Sequence, residues 1–81
     1  MPERGDAAPM TADAWLVLAQ WRGNEDAAFD EASLCILLGW DKARVRRALF
    51  NLNTENGKVY CEADADSAVY LIYGPHVFDA P

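Results

Sequence analysis

One glycine constrains this chain more than any other residue. In residues 31–52, EASLCILLGWDKARVRRALFNL, a small residue (Cys35) is followed four positions later by Gly39 and six beyond that by Val45. Leu34, Leu38 and Trp40 flank the glycine. This spacing predicts two helices joined by a tight turn. The small residue lets the helices approach, Gly39 supplies the positive φ that the turn needs, and Val45 closes the second helix onto the first. The segment also holds four of the seven cations in the chain: Lys42, Arg44, Arg46 and Arg47.

The rest of the chain is read outward from that pair. Residues 1–10 carry two prolines, one glycine and few large apolar side chains, which predicts a flexible arm. Thr11 is placed to cap a helix over about 12–22, with Asp13 in its first turn. Ala12, Trp15, Leu16 and Ala19 fall at helical spacing and predict the buried stripe, broadened by Leu18 and Trp21. Gly23-Asn24 ends this helix, and Phe29 offers one apolar strand residue before Asp30 caps the next helix over 31–38. Asp41 caps the third helix, whose inward side is Val45, Ala48, Leu49 and Leu52.

Asn53–Gly57 (NTENG) reads as a helix stop and turn. Lys58–Ala63 then alternates, and Ser67–Tyr73 is rich in Val, Tyr and Ile, so two strands joined by the DADS loop at 64–67 are expected. Residues 75–81 form a tail in which Val77 and Phe78 can dock back. The core expected from these patterns is Trp15, Leu18, Ala19, Phe29, Leu34, Leu38, Val45, Leu49, Leu52, Val59 and Leu71.

The order helix, short strand, helix, helix, hairpin resembles the winged helix-turn-helix domain over residues 11–74. The resemblance rests on the Cys35/Gly39/Val45 spacing, the RALFNL segment and the hairpin directly after it. It implies a single α+β domain: a three-helix winged helix-turn-helix with a C-terminal β-hairpin wing. It also implies a third helix that enters a DNA major groove and a wing that touches the backbone.

Charge is segregated along the chain. The whole carries −6, yet residues 42–58 hold five cations against one acid, Glu55, leaving 64 residues at −10. A polarised surface of this kind orients partners. With Val45 inward, Ala43, Arg47, Phe50 and Asn51 are expected outward on the third helix, with Arg44 and Arg46 on its flanks. Arg47 and Asn51 have the chemistry to read base edges, Lys42, Arg44 and Arg46 suit phosphates, and Lys58 and Phe50 complete the set expected to bind nucleic acid or a partner.

These residues predict a small DNA-binding transcriptional regulator or accessory factor, acting through residues 42–52 on double-stranded DNA. One such helix reads one half-site, so DNA binding implies a homodimer. The alternative is a protein–protein interaction module, a subunit or adaptor that binds an acidic or mixed protein surface. Two features favour it: the wing carries Glu62, Asp64 and Asp66 where phosphate-contacting wings usually carry cations, and Phe50 lies on the outward side of the third helix.

Other classes are not expected. Cys35 and Cys61 with a lone His76 do not supply the ligand set of a zinc site, so no metal or cofactor is expected and both thiols should be free. No nucleophile–base arrangement or glycine-rich phosphate loop suggests an enzyme. The absence of a long apolar run and of a signal-like N-terminus leads to a cytoplasmic expectation with no membrane partner.

Overall fold

Three carboxylate or hydroxyl caps start three helices. In the computed structural model, which describes residues 8–79, Thr11 Oγ1 accepts from Ala14 N–H, Asp30 from Ser33 N–H and Asp41 from Arg44 N–H. They open α1 (Ala12–Leu18), α2 (Glu31–Leu38) and α3 (Lys42–Phe50). Gly39 ends α2 at φ 69°, the left-handed conformation the turn requires, and its N–H returns to the Cys35 carbonyl. Strands β1 (Val59–Ala63) and β2 (Ala68–Ile72) then form an antiparallel hairpin, with Val59 opposite Ile72 and Ala63 opposite Ala68. The result is the expected α+β arrangement, three helices followed by a C-terminal antiparallel hairpin, consistent with a three-helix winged-helix architecture.

Phe29 joins the two-stranded hairpin through a single isolated bridge. Its N–H and carbonyl exchange hydrogen bonds with Tyr70 at 3.0 and 2.8 Å. This bridge ties the chain between α1 and α2 to the wing. Asp64 shapes the wing tip by accepting from the N–H groups of Asp66 and Ser67, which holds its carboxyl below the usual range.

The core lies where the three helices meet the base of the hairpin. It is built from Ala14, Val17, Leu18, Trp21, Leu34, Val45, Ala48, Leu49, Leu52, Val59, Ile72 and Val77. Trp21 is fully buried, and its indole N–H donates to the Ala27 carbonyl at 2.9 Å. Its ring meets Phe29 edge-on, with centroids 5.0 Å apart. Val77 closes one end from a 3₁₀ turn over Pro75–Phe78, and Arg22 lies 4.6 Å from the Phe78 ring.

Four expectations are corrected. The buried stripe of α1 is Ala14, Val17, Leu18 and Trp21, while Ala12 and Leu16 face solvent. Both sets have helical spacing, and docking chose the one that places Val17 and Trp21 inside. The helix shortens to Leu18, with a 3₁₀ turn over Ala19–Trp21. Asn53–Glu55 does not stop the third helix, which continues as a wide π-helical turn over Asn51–Glu55 before Gly57 turns the chain at φ 61°. On β2 the residue in the core is Ile72, opposite Val59, and Leu71 is half-buried on the other face, as Trp15, Ala19, Phe29 and Leu38 are half-buried around the core.

The expected arm over 1–10 lies outside the described residues as far as residue 7. Beyond it, Met10 packs on the core, and Pro9 and Thr11 are held by Asn51, just past the end of α3, as described below.

Candidate functional site

The two flanks of α3 meet different neighbours, and this decides what each basic residue can do. On the flank facing α1, the Arg44 guanidinium donates to both carboxylate oxygens of Asp13, at 2.9 and 3.0 Å. The same group lies 3.9 Å from the centroid of the Trp40 ring. The hydrogen bond from Arg44, with the field of Arg44 and Arg47, holds the Asp13 carboxyl below its ordinary value. Arg44 is thereby a link between α1 and α3.

Asn51 lies on that flank too, and its expected outward position is corrected. Six helical steps of about 100° from Val45 bring it to within about 20° of the direction of Arg44. It is 4% exposed. Its Oδ1 accepts from Thr11 N–H at 3.1 Å, and its Nδ2 donates to the Pro9 carbonyl at 3.1 Å and to Glu55 at 2.7 Å. With its amide satisfied on both sides, Asn51 anchors the chain entering α1.

The opposite flank faces α2 and the wing. Arg46 Nε donates to the Glu31 carboxylate at 3.0 Å. Around this pair runs a cleft between the start of α2, α3 and β2. Its larger part, about 390 Å³, is lined by Asp30, Glu31, Ala32, Lys42, Arg46, Ala68 and Tyr70. Past the Arg46–Glu31 pair it continues to Leu49, Phe50, Asn53 and Thr54, a further 150 Å³. Burial raises the Tyr70 phenol above its usual range, the neighbouring Cys61 side chain and the Glu31 carboxylate push it the same way, and Arg46 opposes them. Asp30 is held low by the hydrogen bond from Ser33 N–H. The cleft therefore offers cations, carboxylates and a neutral phenol side by side, with the apolar ring of Phe50 at one end.

Of the expected site residues, Lys42, Arg46 and Phe50 meet at this cleft. Arg47 is exposed on the outer side of α3, beside Thr11, Ala12, Asp13 and Ala48. Lys58 stands apart, at the base of the hairpin with its ammonium 6.0 Å from the Trp15 ring. Phe50 is 54% exposed at the end of α3. Sequence reasoning missed Glu31, to which it gave no role, and Tyr70, which it read only as a strand residue. The one available signal was the alternation in 68–72, which sets Tyr70 on the same face as Ile72.

No protein family, curated protein or solved structure matches this chain. Among the described residues, no helix is long and apolar enough to cross a membrane.

Proposed function

We propose that this winged helix is a protein-interaction module, a subunit or adaptor that docks a mixed-charge partner surface on the α2–α3–wing cleft. The observation that carries the reading is the fate of the basic helix. Arg44 and Arg46 are each held by a carboxylate, Asn51 is turned inward, and the large apolar side chain exposed on that helix is an aromatic one, Phe50. Exposed aromatics beside arginine are typical anchors of protein interfaces. A phosphate backbone would have to compete with Asp13 and Glu31 for two arginines and approach a wing tip carrying Glu62, Asp64 and Asp66. The Arg46–Glu31 pair instead suits a partner that offers both charges.

The DNA-binding reading retains specific support from Lys42 and Arg47, which are exposed on α3. Two measurements separate the readings. A mixed-sequence duplex titrated at about 50 mM salt should show no binding tighter than about 100 µM, whereas a DNA-binding protein should bind and lose affinity steeply by about 200 mM. Affinity capture from the native lysate should recover a partner that Phe50→Ala loses by about tenfold and Arg47→Ala retains, since buried aromatic anchors carry much of such interfaces. Micromolar duplex binding, abolished by Arg47→Ala and indifferent to Phe50→Ala, would overturn the proposal.

A further inference from the structure

The hairpin presents a second surface, on the face turned away from the core. The strand pleat sends alternate side chains to opposite sides, and Val59 and Ile72 fix which side is inward. Tyr60 and its partner Leu71 therefore face outward, as does Glu62 toward the tip. Tyr73 N–H bonds the Lys58 carbonyl, which extends this outward face by one pair at the base. There the Tyr60 and Tyr73 rings lie 4.8 Å apart, tilted by 45°, and Tyr73 is 59% exposed.

Charge along this face is ordered. Glu62, Asp64 and Asp66 cluster at the exposed tip, and Lys58 stands at the base beside Trp15. A ligand lying along the strands thus meets two tilted aromatic rings with a cation beside them at the base, then a group of carboxylates toward the tip.

We propose that this outer face docks an extended, proline-containing segment of a partner protein, with the proline on the Tyr60–Tyr73 rings and an Arg or Lys beyond it at the acidic tip. Three physical points select this occupant. Flat apolar pyrrolidine rings pack well on aromatic surfaces, and a polyproline II segment loses little entropy on binding because it is already extended. Its rise of about 3.1 Å per residue nearly matches the strand rise of about 3.4 Å, so a cation two to four residues past the proline falls among Glu62, Asp64 and Asp66. The charge order fixes the polarity, since Lys58 repels a cation at the base and the tip attracts one. A second copy of this acidic chain, or a nucleic acid strand, would bring further negative charge to that tip.

The surface is independent of the α3 cleft, so the two readings can fail separately. The test uses the full chain labelled with ¹⁵N and a synthetic peptide carrying two Pro-Pro steps followed by two arginines. The expected result is amide shifts confined to Tyr60, Glu62, Leu71, Tyr73 and their neighbours, with an affinity that falls as salt rises. Tyr73→Ala should weaken binding by about fivefold or more, as expected for an interface anchor. Glu62→Gln combined with Asp66→Asn, which leaves the rings and Asp64 in place, should remove most of the salt dependence, and Phe50→Ala, which disables only the α3 cleft, should leave the affinity for this peptide as it is. No shift at about 2 mM peptide overturns the proposal, because that excludes even a millimolar complex. Equal binding of the Pro→Ala peptide overturns it too, as do shifts at the α3 cleft. The same amides moving on dilution of the free protein would assign the face to a second copy, and their moving with a single-stranded oligonucleotide would assign it to nucleic acid; either overturns the proposal.

Discussion

Replacing Asn51 distinguishes an anchoring side chain from one held ready for a ligand. Asn51→Ala removes three hydrogen bonds at once and leaves the Thr11 N–H and the Pro9 carbonyl without their side-chain partner at a part-buried site. The two bonds to the backbone are each worth about 0.5–1.5 kcal/mol net, and the bond to the Glu55 carboxylate somewhat more. Allowing for partial access of water to the freed groups, the loss should be about 2–4 kcal/mol. For a domain of this size that is a large share of the total stability and corresponds to roughly 10–25 °C in Tm. Asn51→Asp sharpens the test. It keeps an acceptor for Thr11 N–H but loses the donor and sets a second carboxylate against Glu55, so at neutral pH it should be no more stable than Asn51→Ala. Urea unfolding followed by tryptophan fluorescence measures both, with the slope of the transition checking two-state behaviour. A loss under about 0.5 kcal/mol for Asn51→Ala, the size expected of a surface substitution, would refute the anchoring role.

Three further outcomes follow from the packing and the electrostatics. Gly39→Ala meets no atom within 4 Å, so its cost should be that of the left-handed backbone alone, about 1 kcal/mol, read by the same unfolding experiment. Leu49→Ala empties a site that is 2% exposed in the core and should cost about 2–5 kcal/mol; a change below 1 kcal/mol would place Leu49 outside the core. Asp13, Asp30 and Asp64 all have folded carboxyls held below the ordinary value by hydrogen bonds. Their contribution is present above about pH 4 and is lost as pH falls through the lower folded values, because the unfolded chain takes up the protons first. Tm should therefore drop on acidification below about pH 4, and Asp13→Asn should make that drop shallower; an unchanged slope would show that the Arg44 pair does not hold the carboxyl low.

Local chemistry made most of the fold legible in the sequence. Thr11, Asp30 and Asp41 are caps by virtue of their own side chains, Gly39 is a turn by virtue of its backbone, and the 58–63 and 67–73 runs are strands by their residue types. These features act over a few residues, so reading along the chain finds them, and Phe29 as a single strand-like residue, which forms one bridge to Tyr70, was visible in the same way. What the sequence left open were choices between equivalent faces. In α1, the Ala12–Trp15–Leu16–Ala19 and Ala14–Val17–Leu18–Trp21 stripes have the same period, and only packing against α3 and its π-helical continuation selected the second. The candidate site depended even more on tertiary contacts. Arg44, Arg46 and Asn51 look like recognition residues on an isolated helix, yet Asp13, Glu31 and Pro9, between 15 and 42 residues away, engage them. Charge and hydrogen-bonding capacity belong to the residue, but whether they are satisfied internally or offered to a partner is decided by what the fold brings beside it.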